Sequence, residues 1–196
     1  VKMFLNPFVI AAHLTIAMSL LAALAVSLAS AGGLGVNSDL SGTSARVFRS
    51  ARGAVVLGLL TLIFGALTAN LPDAASSCAG FPWCRQYLIY GTPLTVHLTH
   101  RILAFLLFGH LLGIAMMARK RGEPAIIRRA AWLAFSAAVV QVLVAAAMIE
   151  MHFPPAFRSL HQAFGTLVWL AIVILAILTR RGSRAGAQRM PLGQAA

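Results

Sequence analysis

Charge is scarce in this chain. Only 10% of its 196 residues are charged, and acidic residues number four against sixteen basic ones. A water-soluble domain carries about a quarter charged residues. With 60% hydrophobic residues, this chain has too few polar groups to cover a surface facing water. That excludes a soluble globular domain and points to an integral membrane protein in a lipid bilayer. Cysteine is also scarce, with two in the chain. Two cysteines with no nearby partner make a poor zinc set.

The net charge of +12 raises the question of nucleic acid. The charges stand in short blocks between long apolar segments, which is the pattern of topology signals and argues for no nucleic acid partner. The apolar segments are also too many and too long for a signal peptide ahead of a soluble domain.

Five stretches have the length of about 20 residues needed to cross about 30 Å of hydrocarbon. They fall near residues 6–31, 53–71, 94–118, 130–151 and 159–179. The expected fold is all-α: a polytopic membrane helix bundle of five transmembrane helices. Four of them are expected to form a four-helix bundle over 53–179. Residues 1–31 hold the first helix, 32–52 a linker that is rich in Gly and Ser over 32–45, and 180–196 a basic tail with no apolar period.

Basic residues orient the bundle. Arg46, Arg49 and Arg52 precede the second span. Arg119, Lys120, Arg121, Arg128 and Arg129 join the third to the fourth, and Arg180, Arg181, Arg184 and Arg189 follow the fifth. The opposite side has Lys2, Arg85 and Arg158. The positive-inside rule predicts an outward N-terminus and a cytoplasmic C-terminus. The expected location is a bacterial-type cytoplasmic membrane.

Both cysteines, Cys78 and Cys84, fall in "SSCAGFPWC", in a loop assigned to the outside. An oxidising compartment and short spacing favour a disulfide, with two unpaired thiols as the alternative. A closed loop would hold Phe81, Pro82 and Trp83 at the interface, where Trp is enriched.

With this topology, His13, His97, His100 and His161 lie within about 10 Å of the outer boundary. Three helices thus carry histidine at a similar depth. An ionisable residue within a span is a functional candidate. Imidazole is the common axial ligand of haem iron, and two imidazoles on facing helices can hold a porphyrin between them. Gly165, four residues after His161, would leave room for a macrocycle. Arg101 could pair with haem propionates. The alternative reading is that these histidines bond helix to helix and that Arg101 snorkels. His110, deeper in its span, reads as packing. His152 reads as a solvated interface residue, and Gln141 as interhelical glue.

The ordered set "GALTANLPDAASSCAGFPWC", "HLTHRILA", a span with a glutamine, then "LHQAFGTLVW" resembles the C-terminal half of a heme A synthase over about residues 53–179. "NPFVIAAHLTIAM" is similar to the helix preceding that half. The resemblance implies that His100 and His161 are axial ligands of haem b. It implies that His13 belongs to a substrate-side pair and that Cys78 and Cys84 pair. His97, one turn before His100, is itself expected near the porphyrin face. It implies participation in the oxidation of heme O to heme A for terminal oxidase assembly. Helices matching the first three of that family do not precede this stretch. A further helical bundle from another chain, or an oligomer, is therefore an expected partner. The chain is expected to be either a natural short form or part of a longer or split protein. The alternative function is a non-catalytic haem-binding or structural subunit of a larger respiratory or photosynthetic membrane complex.

Overall fold

The computed structural model describes residues 6–34 and 39–188, with side chains to residue 184. Its helices are α1 (Pro7–Ser30), α2 (Ala45–Asn70), α3 (Thr92–Lys120), α4 (Ala125–Glu150) and α5 (Pro155–Gln188). All five are long and apolar enough to cross a membrane. The chain is an all-helical integral membrane protein, because in hydrocarbon a helix satisfies its own backbone groups. Between α2 and α3, a minimal antiparallel ladder pairs β1 (Cys78–Ala79) with β2 (Gln86–Tyr87).

Helix α2 packs on α3 and α5, and α4 also packs on α3 and α5. The four therefore close a ring in which α3 and α5 stand diagonally. Helix α1 lies outside the ring against α2 and α5. The Trp169 indole N–H donates to the Met18 carbonyl at 2.9 Å and ties α1 to α5.

The fully buried layer is concentrated toward the basic end of the ring. It includes Val47, Ala51 and Ala54 of α2, Leu111, Ile114 and Ala115 of α3, Ile127, Ala131 and Ala134 of α4, and Ile172 and Leu175 of α5. Small alanines there let the helix backbones approach closely. The opposite half packs differently. No residue of α4 after Ala138, and none of α5 before Val168, is fully buried.

Two helices extend past the apolar segments that mark them. Helix α2 begins at Ala45, so Arg46, Arg49 and Arg52 ride on its first turns and are not in a linker. Ser44 caps it by accepting from the Val47 amide at 3.3 Å. Buried Glu123, in the α3–α4 turn, accepts from the Ser44 hydroxyl at 2.5 Å and from its amide at 3.0 Å. Helix α5 continues to Gln188, through the start of the expected tail. There Gly182 lies against Thr43 and the Leu40 carbonyl so closely that a side chain would collide with both. Residues 35–38 of the expected linker and 189–196 of the tail lie outside the described residues.

Candidate functional site

The poorly buried half of the ring holds two histidines face to edge. His100 of α3 and His161 of α5 meet across the diagonal with ring centroids 6.5 Å apart and planes at 84°. Each of the other two helices supports one of them.

Helix α2 supports His100. The imidazole Nδ1 lies 3.0 Å from the Thr61 carbonyl. A carbonyl only accepts, so Nδ1 carries the proton and Nε2 keeps a free lone pair. Metal-binding histidines use this arrangement, in which the remote nitrogen is anchored by a carbonyl. The approach depends on Gly65: a Cβ there would stand 2.9 Å from His100 Cε1. Mid-helix glycine marks such a close approach, and it was the one available signal for this unread residue.

Helix α4 supports His161. Gln141 Nε2 donates to the His161 carbonyl at 3.0 Å and lies 3.1 Å from ring Nδ1. Gln141 Oε1 is buried without a hydrogen-bond partner among the described residues. Gly165 faces this amide, since a Cβ there would come within 3.4 Å of Nε2. The space expected for a macrocycle at Gly165 thus accommodates Gln141.

The donor set is two imidazoles with no carboxylate between them. It would suit a borderline metal such as iron and does not suit a hard cation such as Ca²⁺. Among the described residues no three His, Cys, Asp or Glu side chains converge to bind a metal without a further group.

His97 and Arg101 have a different task. His97 is 4% exposed and Arg101 8%. His97 Nδ1 donates to the Ala74 carbonyl at 2.8 Å, and its Nε2 accepts from Arg101 Nε at 3.0 Å. Arg101 then donates to the carbonyls of Gly80 (2.7 Å), Cys78 (3.2 Å) and Pro82 (3.3 Å). Four of its five N–H groups are engaged inside the protein. The structure therefore places His97 under the α2–α3 loop, one helical turn from His100, and gives the Arg101 side chain carbonyl partners in that loop.

The loop above is closed by a Cys78–Cys84 disulfide with Cα atoms 5.2 Å apart. Phe81 and Trp83 pack on Phe105 of α3, at 5.9 and 6.1 Å between ring centroids. Trp83 remains 75% exposed, as an interfacial tryptophan does. Glu150, at the end of α4, pairs with Arg85 and accepts from the Phe81 amide at 3.0 Å. Neither contact has a signature in local sequence.

His13 is exposed on α1, outside the ring. His110 donates from Nε2 to the Ser50 carbonyl at 2.8 Å, a packing bond between α3 and α2.

The comparisons with known proteins agree with one another only in part. The chain is 26% identical over 137 residues to a Protoheme IX farnesyltransferase of Halobacterium salinarum. The aligned part is 69% of this chain and 30% of that protein, so the chain spans less than a third of the length of that curated relative. No solved structure matches. The model of the family COX15-CtaA, described as "Cytochrome oxidase assembly protein", matches residues 1–173, which include α2, α3, α4, the loop and the part of α5 that carries His161. On that match the chain belongs to the COX15-CtaA family of cytochrome oxidase assembly proteins, the heme A synthase family.

Proposed function

We propose that the chain holds haem b between His100 and His161 and takes part in the oxidation of heme O to heme A. The observation that carries this reading is the diagonal pair of imidazoles 6.5 Å apart, each held by a neighbouring helix. The anchored Nδ1 of His100 supports it. So does the scarcity of fully buried side chains in this half of the ring, which leaves that half the more able to accommodate a flat hydrophobic group. Bound there, haem supplies one-electron redox chemistry.

The protein's own residues orient and shield. Thr61 and Gly65 direct His100, and Gln141 directs His161. Arg101, His97 and the disulfide hold the loop close above them. Neutral imidazoles and an apolar surround disfavour water at the pair.

This chain supplies one such pair, and His13 stands apart from it on the outer face of α1. The substrate side of the heme O reaction therefore rests with a further helical bundle, from another chain, another copy or additional sequence. The basic end of the bundle faces the cytoplasm in this reading. A haem-binding subunit without catalysis rests on the same pair, and heme A content after deletion separates the two.

The first test is the reduced-minus-oxidised and pyridine hemochrome spectra of the purified chain beside His100→Ala and His161→Ala. The expected result is a b-type signal that both variants lose. A wild-type chain that binds no haem, even when supplied with it, would overturn the assignment.

A further inference from the structure

Two clefts open beside the α3–α4 turn, at the end of the bundle remote from the histidine pair. One, of about 550 Å³, is lined by Arg46, Met117, Lys120 and Arg121. Part of its charge is answered: Arg121 lies 3.7 Å from Glu123 and donates to Ser44 Oγ at 3.2 Å. The other, of about 380 Å³, is lined by Arg119, Ala125, Arg128, Arg129 and Trp132. It brings three guanidinium groups to one cleft with no carboxylate in its lining.

Among the described residues, the side chains of Arg119 and Arg129 have no hydrogen-bond or ion-pair partner. Arg128 is oriented by one bond, from Nη1 to the Glu123 carbonyl at 2.7 Å, and four of its N–H groups remain. Like charges gathered in one concavity repel one another and raise the local positive potential, which an anion relieves. The first turn of α4 adds to that potential. Its N-cap is Pro124, with no side-chain cap bond, and no acidic residue stands in the turn. Ala125 opens this helix into the cleft, so its unpaired amides contribute positive charge at the same place.

Trp132 distinguishes lipid from free anion. It lies two turns farther along α4, about 10 Å from the helix start, and is 37% exposed. An indole at that depth belongs to the boundary between headgroups and acyl chains. A cationic mouth above an aromatic wall matches an amphiphile. Basic clefts between transmembrane helices recognise anionic headgroups in this way.

We propose that the cleft formed by Arg119, Arg128, Arg129 and Trp132 is a binding site for the phosphodiester headgroup of an anionic phospholipid. The arginines meet the phosphate, and Trp132 meets the start of the acyl chains. The site owes nothing to haem binding, so it stands whether or not the histidine pair holds one.

The test is native mass spectrometry of the full chain in non-ionic detergent, titrated with phosphatidylglycerol, phosphatidylcholine or inorganic phosphate. One phosphatidylglycerol is expected to be retained in preference to phosphatidylcholine, with inorganic phosphate a poor competitor. The double variant Arg119→Gln/Arg129→Gln is expected to weaken retention about thirtyfold. Both residues are exposed and unbonded, so the variant folds. The double variant Arg180→Gln/Arg184→Gln removes the same charge from the end of α5. It is expected to leave affinity within about threefold at 0.15 M salt, where the Debye length is about 8 Å. Equal losses in the two double variants would overturn the site in favour of diffuse surface charge. Equal retention of the two lipids would overturn the recognition of charge. Retention of inorganic phosphate as tight as that of phosphatidylglycerol would replace the lipid with a free-anion site.

Discussion

His100 can bond the backbone of α2 only because position 65 has no side chain. Gly65→Ala places a methyl 2.9 Å from His100 Cε1, so the ring must move and the Thr61 bond is lost. Loss of such an orienting bond lowers metal affinity by about tenfold or more. Alanine also stabilises the helix itself by about 1 kcal/mol over glycine. The two effects have opposite sign, which makes the prediction specific. Haem content by pyridine hemochrome should fall while the thermal midpoint in detergent holds or rises. An unchanged haem content would remove Gly65 from the site. The histidines were legible because imidazole in a membrane helix is rare and costly. Gly65 was not, since the histidine it admits lies 35 positions farther along the chain.

The loop between α2 and α3 is held from below. Arg101 rises from the second turn and a half of α3 and spends its donors on three loop carbonyls and on His97. Arg101→Leu leaves those carbonyls buried with no donor. Bonds to a charged group contribute about 1.5–3 kcal/mol each, so a destabilisation of about 3 kcal/mol is expected, measured as unfolding of the purified protein in detergent. Arg101→Lys should recover only part of it, because an ammonium lacks the planar fork that reaches several carbonyls at once. A variant as stable as wild type would show that the loop is held by its disulfide alone. A buried arginine next to a histidine near the outer surface invites a propionate reading. The carbonyls that take its protons are backbone groups of residues 78–82, and side-chain identity says little about where backbone acceptors lie. Helix ends were misplaced for a related reason. Hydropathy marks the part of a helix in hydrocarbon, whereas backbone hydrogen bonding carries α2 back to Ala45 and α5 on to Gln188.

Across the molecule, the chain divides function by depth. Interlocked alanine, leucine and isoleucine close the basic end, and the histidine pair occupies the end under the loop. The positive-inside rule predicts that the arginine-rich end faces the cytoplasm. An impermeant maleimide should label Tyr90→Cys, at a position 72% exposed in the loop, in intact cells. It should label Lys120→Cys only after the membrane is opened. The reverse pattern would invert the orientation. Five membrane helices were readable from composition, because a run of about 20 apolar residues has no stable place in water. Orientation was readable as an expectation from arginine placement. The candidate histidines were readable from their agreement in depth along separate helices. Sequence spacing fixes depth along each helix axis but leaves rotation about that axis and the choice of neighbours open. The ring of α2 to α5, with α1 outside it, settles both. It brings His100 and His161 together on the diagonal, turns His13 outward, and gives Gln141 to His161 and Arg101 to the loop. Those pairings come from packing among helices far apart in the chain, a property of no single segment.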